Sequence, residues 1–174
     1  MKKLVLALIV MFSVGAAVAQ SKVGHVNTQK LLDTMPSRKD AMKLLQDWEK
    51  KGVEELQEMQ QDFQEALAVY ENARPNMPQV MIKIEEEKLM KKQQAVQDRE
   101  QALQQELQSL GQDLNQPILE RVQKAVKIVA ERKKLNYVLS IDDFSLVLYS
   151  DGGTDITGEV ITELLILDAA ATKK

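Results

Sequence analysis

The sequence has no cysteine and a single histidine. Without a thiol the chain can form no disulfide and carry no lipoprotein anchor, so an exported domain must be held by packing or by association. A lone His25 with no cysteine and no second histidine lacks partners for a metal or catalytic site, and it is read as a strand residue facing a neighbour. Aromatic residues make up only 4% of the 174 positions, and 28% are charged, which suits an elongated helical protein with one small head better than two compact domains. Basic charge is also lacking. The formal charge is −3, and −5 once Lys2 and Lys3 are removed, so no field for nucleic acid is present. Gly152-Gly153 is not followed by the Lys-Ser or Lys-Thr of a phosphate loop. No nucleophile stands with a base, and no acidic pair has a recognisable context. These absences argue against an enzyme, and no catalytic, cofactor-binding or metal-ligating residue is nominated.

Long hydrophobic runs are missing except at the start. Lys2 and Lys3, an apolar run from Leu4 to Val14, and Ala17-Val18-Ala19 follow the charged, apolar and small-residue order of a secretory signal. The run is shorter than the ~20 residues that span a bilayer, so residues 1–19 are expected to be cleaved after Ala19.

Breakers are sparse too, with seven glycines and four prolines, and two of the prolines fall together in Arg74-Pro75-Asn76-Met77-Pro78. They cannot sit inside a continuous helix and predict a turn. Before it, Leu56, Met59, Phe63, Ala66, Tyr70 and Ala73 recur at alternating spacings of three and four; after it, Ile82, Leu89, Val96, Leu103 and Leu110 recur every seven. That is the seam of a coiled coil, here an antiparallel helical hairpin over residues 37–116 projecting roughly 55–60 Å. Pivoting about Asn76, facing residues have numbers summing to about 152: Tyr70 faces Ile82, Phe63 faces Leu89, Leu56 faces Val96 and Leu45 faces Leu107. In that register Ala66 meets Glu86, Met59 meets Gln93 and Gly52 meets Glu100, so alternate layers are weak. The spacing of four between Gly52 and Leu56 is a stutter that predicts a bend.

The remaining segments, 20–36 and 117–174, form the head. Lys22 to Val26 reads as a strand, and Asn27 can cap a short helix ending before Pro36. Ser37 with Asp40 resembles a capping box for the first arm. Gly111 and Pro117 are expected to end the second arm, with a separate amphipathic helix from Ile118 to about Lys134. Tyr137–Ile141 and Ser145–Tyr149 read as a β-hairpin joined through Asp142-Asp143-Phe144, and Asp155 or Thr157 caps a last helix carrying Val160, Ile161 and Leu164. Three short strands leave exposed edges and a thin core. The predicted class is therefore α+β: a long coiled-coil arm on a small β-sheet head that completes its sheet or barrel by self-association. Val23, Val26, Val138, Val147 and Leu148 are the candidate association residues.

The order of these features resembles the Skp/OmpH family of periplasmic chaperones. Lys22 to Leu32 is similar to that family's first strand and turn, the proline-broken hairpin to its tentacle, and Tyr137-Val138-Leu139 through Asp155-Ile156-Thr157 with Val160-Ile161 to its closing strands and helix. The resemblance implies a periplasmic homotrimer with a β-barrel body and three arms around a cavity, which holds unfolded outer-membrane β-barrel proteins without ATP or another cofactor. It also implies transient contact with a membrane surface. One departure stands out. The best-known members are basic, whereas residues 37–116 carry 11 Lys and Arg against 16 Asp and Glu, a net of −5, so no lipopolysaccharide site is carried over.

Binding many unfolded segments weakly favours flexible methionine on mobile arms over a shaped pocket. Met59, Phe63 and Tyr70 lie on the seam and are assigned to the hairpin core. Met77 at the tip, with Met81, Met90 and Met42, are the candidate client contacts. The alternative from the residues alone is an envelope coiled-coil adaptor or spacer that binds one folded partner.

Overall fold

The computed structural model describes residues 22–142, 147 and 153–171. The first 21 residues, with the expected signal, and the second strand of the expected β-hairpin, Val147 apart, lie outside the described residues. Strand β1 (Val23–Val26) leads into helix α1 (Thr28–Thr34), then α2 (Pro36–Ala73), a 3₁₀ turn (Arg74–Asn76), α3 (Gln79–Lys133), β2 (Tyr137–Ser140), β3 (Thr154–Asp155) and α4 (Thr157–Ala171). The sheet order is β2-β1-β3, and β1 pairs in parallel with both neighbours. Parallel neighbours cannot be joined by a tight turn. Here the β1-to-β2 crossover consists of α1, α2 and α3, so the hairpin is an extended crossover of the head's own sheet.

One face of that sheet is covered. Val26, Leu31 and Met35 from the start of the chain meet Ile118, Val122, Ala125 and Val129 of α3 and Ile156, Val160 and Leu164 at its end. Recurrence every three or four residues gives α3 and α4 the apolar stripes that make this core. Asn27 caps α1 by accepting from the Lys30 amide at 2.8 Å. Asp155 accepts from the Thr157 amide at 2.8 Å, and Thr157 in turn accepts from the Asn27 amide at 3.0 Å, which joins the two helix starts. Hydrogen bonds from the Thr157 side chain and then from its amide hold the Asp155 carboxyl below its ordinary value.

Two sequence expectations are corrected. First, α3 runs unbroken for 55 residues through Gly111 and Pro117. Pro117 removes one helical donor, but it is exposed, so water can satisfy the freed carbonyl, and Arg121 donates from Nε to the Pro117 carbonyl at 3.0 Å. Second, Ser37 is not part of a local capping box. Its amide and hydroxyl donate to Asp168 at 3.1 and 2.5 Å. The N-cap of α2 is Met35, which supplies no side-chain bond, so a carboxylate from α4 satisfies the helix start instead.

Asp168 is 2% exposed, and Arg121 of α3 pairs with it while also donating to the Ser37 hydroxyl at 3.0 Å. One carboxylate thus ties the root of both arms to the last helix. Burial alone would raise the Asp168 carboxyl, but the bonds from Ser37 and the charge of Arg121 outweigh it and hold the group below its ordinary value. A carboxylate depressed in the folded state contributes stability above its unfolded pKa of about 3.9 and loses it as pH falls through the folded value. Asp168→Asn is predicted to cost about 1.5–3 kcal/mol at neutral pH, the scale of hydrogen bonds to a charged group. Urea unfolding at pH 7 and pH 3 checks this: the parent should lose more stability on acidification than the variant, and equal losses would remove Asp168 from the account.

Candidate functional site

The two arms hold each other along one stripe. On α2 it comprises Leu56, Met59, Phe63 and Ala66 with buried Tyr70, and on α3 Ile82, Glu85, Leu89, Lys92, Val96, Arg99 and Leu103. The cross-arm bonds correct the expected register. Lys92 pairs with Asp62, Arg99 donates to Glu55 at 2.9 and 3.0 Å, and Tyr70 donates to Glu86 at 2.6 Å, so facing numbers sum to about 155. The reason lies at the tip. Arg74–Asn76 prolong the climb of α2 as a 3₁₀ turn, which moves the apex from Asn76 to Met77-Pro78.

The shift changes which layers are polar. Glu86, Gln93 and Glu100, expected to weaken the seam, are exposed beside it, whereas Glu85, Lys92 and Arg99 occupy it. Their long stems cover the seam while their charged ends find partners. Arg99 also meets Glu106 at 3.2 Å, and its guanidinium is held above the ordinary value, first by the bond to Glu55. Surface pairs of this kind contribute little, so they specify register more than they add stability.

Gly52 has a packing role that its spacing does not suggest. Helix α2 passes through it unbroken, and it is buried because Leu103 packs onto its backbone: a methyl group there would stand 2.2 Å from Leu103 Cδ1 and 2.8 Å from Cδ2. At the other end Tyr70 is closed over by Arg74, 5.9 Å above its ring, and donation to Glu86 is the main cause that pushes its hydroxyl pKa up.

A hairpin with one buried stripe must leave the rest uncovered. Val80 is 70% exposed, Val69 68% and Met90 64%, with Met81 and Ile84 also exposed near the tip. Met77 is half-buried at the apex, and Met42 is exposed near the root, where Leu44 and Trp48 stand open as well. The four methionines are therefore accessible but spread along the arm, not gathered. The valines and Trp48 were missed because they fall outside the heptad positions that organise the reading.

On the head, Val26 lies in the chain's own core and Val138 packs against it. Val147 is half-buried, and Leu148 lies outside the described residues. The sheet's other face carries Val23 paired with Tyr137 and His25 paired with Leu139, and Val23, Tyr137 and Leu139 are exposed. Among the described residues no acidic or histidine cluster could hold a metal, and no helix is long and apolar enough to cross a membrane.

Comparison with known proteins agrees with this architecture. The family described as "Outer membrane protein (OmpH-like)" matches residues 22–164. The chain belongs to the OmpH-like family. The chaperone protein Skp of Photorhabdus laumondii subsp. laumondii is 29% identical over 169 residues, which cover 94% of this chain and 99% of that protein. A crystal structure from Caulobacter crescentus CB15, described as an OmpH-like outer membrane chaperone, superposes with a TM-score of 0.73 at 17% identity, covering 87% of this chain and 86% of that one. Within this OmpH-like fold, the fit at Gly52 selects the residue by its close approach to Leu103. Alanine there should raise helix propensity by about 1 kcal/mol, yet overpacking against Leu103 costs about 1–3 kcal/mol. Gly52→Ala is predicted to lower the melting temperature in the parent and to raise it in a Leu103→Ala background. A rise in both backgrounds would show that the close approach does not select glycine.

Proposed function

We propose that this chain is a periplasmic holdase, exported by cleavage after Ala19, that assembles as a homotrimer through its head and shields unfolded outer-membrane β-barrel proteins between its arms without ATP. The observation that carries the reading is apolar surface left uncovered on a long two-helix arm, in a family whose curated relative is a chaperone. Val69, Val80, Met81 and Met90 offer flexible or small apolar contacts on exposed surface of the arm. Such contacts are individually weak and indifferent to sequence, which lets a client leave and fold.

The head supports the assembly. Among the described residues its sheet ends in two short strands, and Val23, Tyr137 and Leu139 on the face away from the core are exposed. A second and third copy would cover these groups and pair the edges, with the arms projecting to one side. The acidic balance of the arm, 11 positive against 16 negative residues, argues for short-range contacts rather than overall charge attraction as the source of affinity.

Deleting Arg74 to Met81 and closing α2 onto α3 with a short turn tests both halves of the reading. Light scattering should give a trimer mass for parent and variant alike, and suppression of aggregation of an unfolded β-barrel protein should weaken several-fold in the variant. A monomeric parent with a folded head overturns the assembly, and an undiminished variant overturns the role of the tip. Stoichiometric capture of one folded partner, without effect on aggregation, would instead make the protein an adaptor.

A further inference from the structure

A groove of 510 Å³ lies beside the seam in the middle of the arm. Its floor is Phe63 and Val96, and its walls are glutamines: Gln57, Gln60, Gln61 and Gln64 from α2, and Gln93 and Gln97 from α3. The spacings of three and four put Gln57, Gln60 and Gln64 in one row on α2, and the spacing of four does the same for Gln93 and Gln97 on α3. No lining residue is charged, although 27 of the 80 residues in 37–116 are, 11 positive and 16 negative. The charged cross-arm pairs, Lys92 with Asp62 and Arg99 with Glu55, use the opposite flank of the seam. Gln61 is engaged by Glu65 at 2.9 Å, but the other five glutamines make no side-chain hydrogen bond among the described residues.

A carboxamide carries one acceptor and two donor hydrogens, as a peptide group carries an acceptor and a donor. Five unengaged carboxamides over an apolar floor therefore complement an extended polypeptide: the amides meet its backbone N–H and C=O groups, and the floor meets one or two of its apolar side chains. We infer that this glutamine-walled groove is a binding site for an extended segment of unfolded polypeptide, recognised through its backbone. The inference rests on the holdase reading above and names the feature of the client that is read. Gln57 to Gln64 span about 10 Å of helix, which is about three residues of extended chain. Backbone recognition is independent of client sequence, and neutral amides enter and leave it without desolvating a charge. Each bond is worth only about two- to tenfold in affinity, so a short segment is held reversibly. A client that has formed its β-barrel has no free backbone groups to offer, so the same chemistry releases it once folded.

The test uses the full mature protein and two labelled synthetic peptides, one copying an apolar-alternating outer-membrane strand and one identical but N-methylated at alternate backbone amides. The parent should bind the first at least fivefold more tightly. The variant Q57A/Q60A/Q64A/Q93A/Q97A should lose about tenfold in affinity for the unmodified peptide and bind the two equally. Its helix content should persist, since these sites are exposed and alanine favours helix. If helix content falls, Q60A/Q93A carries the same comparison. Retention of parental affinity and discrimination by the variant would overturn the inference. So would a parent that ignores both peptides, and parental suppression of β-barrel aggregation in that case leaves the holdase reading standing. Loss of both binding and suppression removes the two together.

Discussion

An arm made of two helices can bury only one stripe on each, and that constraint governs most of the molecule. Here Leu56, Met59, Phe63 and Ala66 meet a single row on α3, and most of the arm beyond the row faces water. The seam must then hold register with little material. It does so by fit at Gly52 and Leu103 and by charged pairs at Lys92 and Arg99, which cost little and fix the alignment. The surface left over, partly apolar and partly neutral amide, is what the protein has available for other chains.

Such an arm is a long lever, and its root is correspondingly constrained. Asp168 receives the first amide and hydroxyl of α2 and the guanidinium of α3 at one buried point. Arg132 with Glu163 at 2.7 Å and Lys133 with Glu159 at 2.8 Å fasten the far end of α3 to α4. The continuity of α3 through Pro117 has the same effect, because its first half belongs to the arm and its second half supplies Ile118, Val122, Ala125 and Val129 to the core. Arm and head thus share one continuous helix and one buried polar contact at the base.

Much of this was legible from local chemistry. The two tip prolines, the seam spacing, the Asn27 cap and the apolar stripe of the last helix depend on near neighbours, and the structure has a turn, a seam, a cap and a helix there. What was not legible depended on distance. Ser37 reads as a capping box with Asp40 until α4, 131 residues away, brings Asp168 to it. Pro117 reads as a stop until its exposure shows that the lost bond can go to water. The register was off by about three because a single 3₁₀ turn displaces the apex, which changed the assignment of every polar layer. The glutamine row carries no hydrophobic signal and emerges only when the register sets both helices side by side.

The central claim is that unfolded chains are held on the arm surface and not on the head. Site-specific photocrosslinking of an unfolded β-barrel protein tests it most directly, with the photoreactive residue placed at Gln60, Met77 or Met90 on the arm and at Leu119 or Ile166, which are exposed apolar positions on the head. The account predicts strong adducts from the three arm positions, lost when the client is allowed to fold, and weak ones from the head. Adducts concentrated at Leu119 and Ile166, with none from the arm, would contradict it.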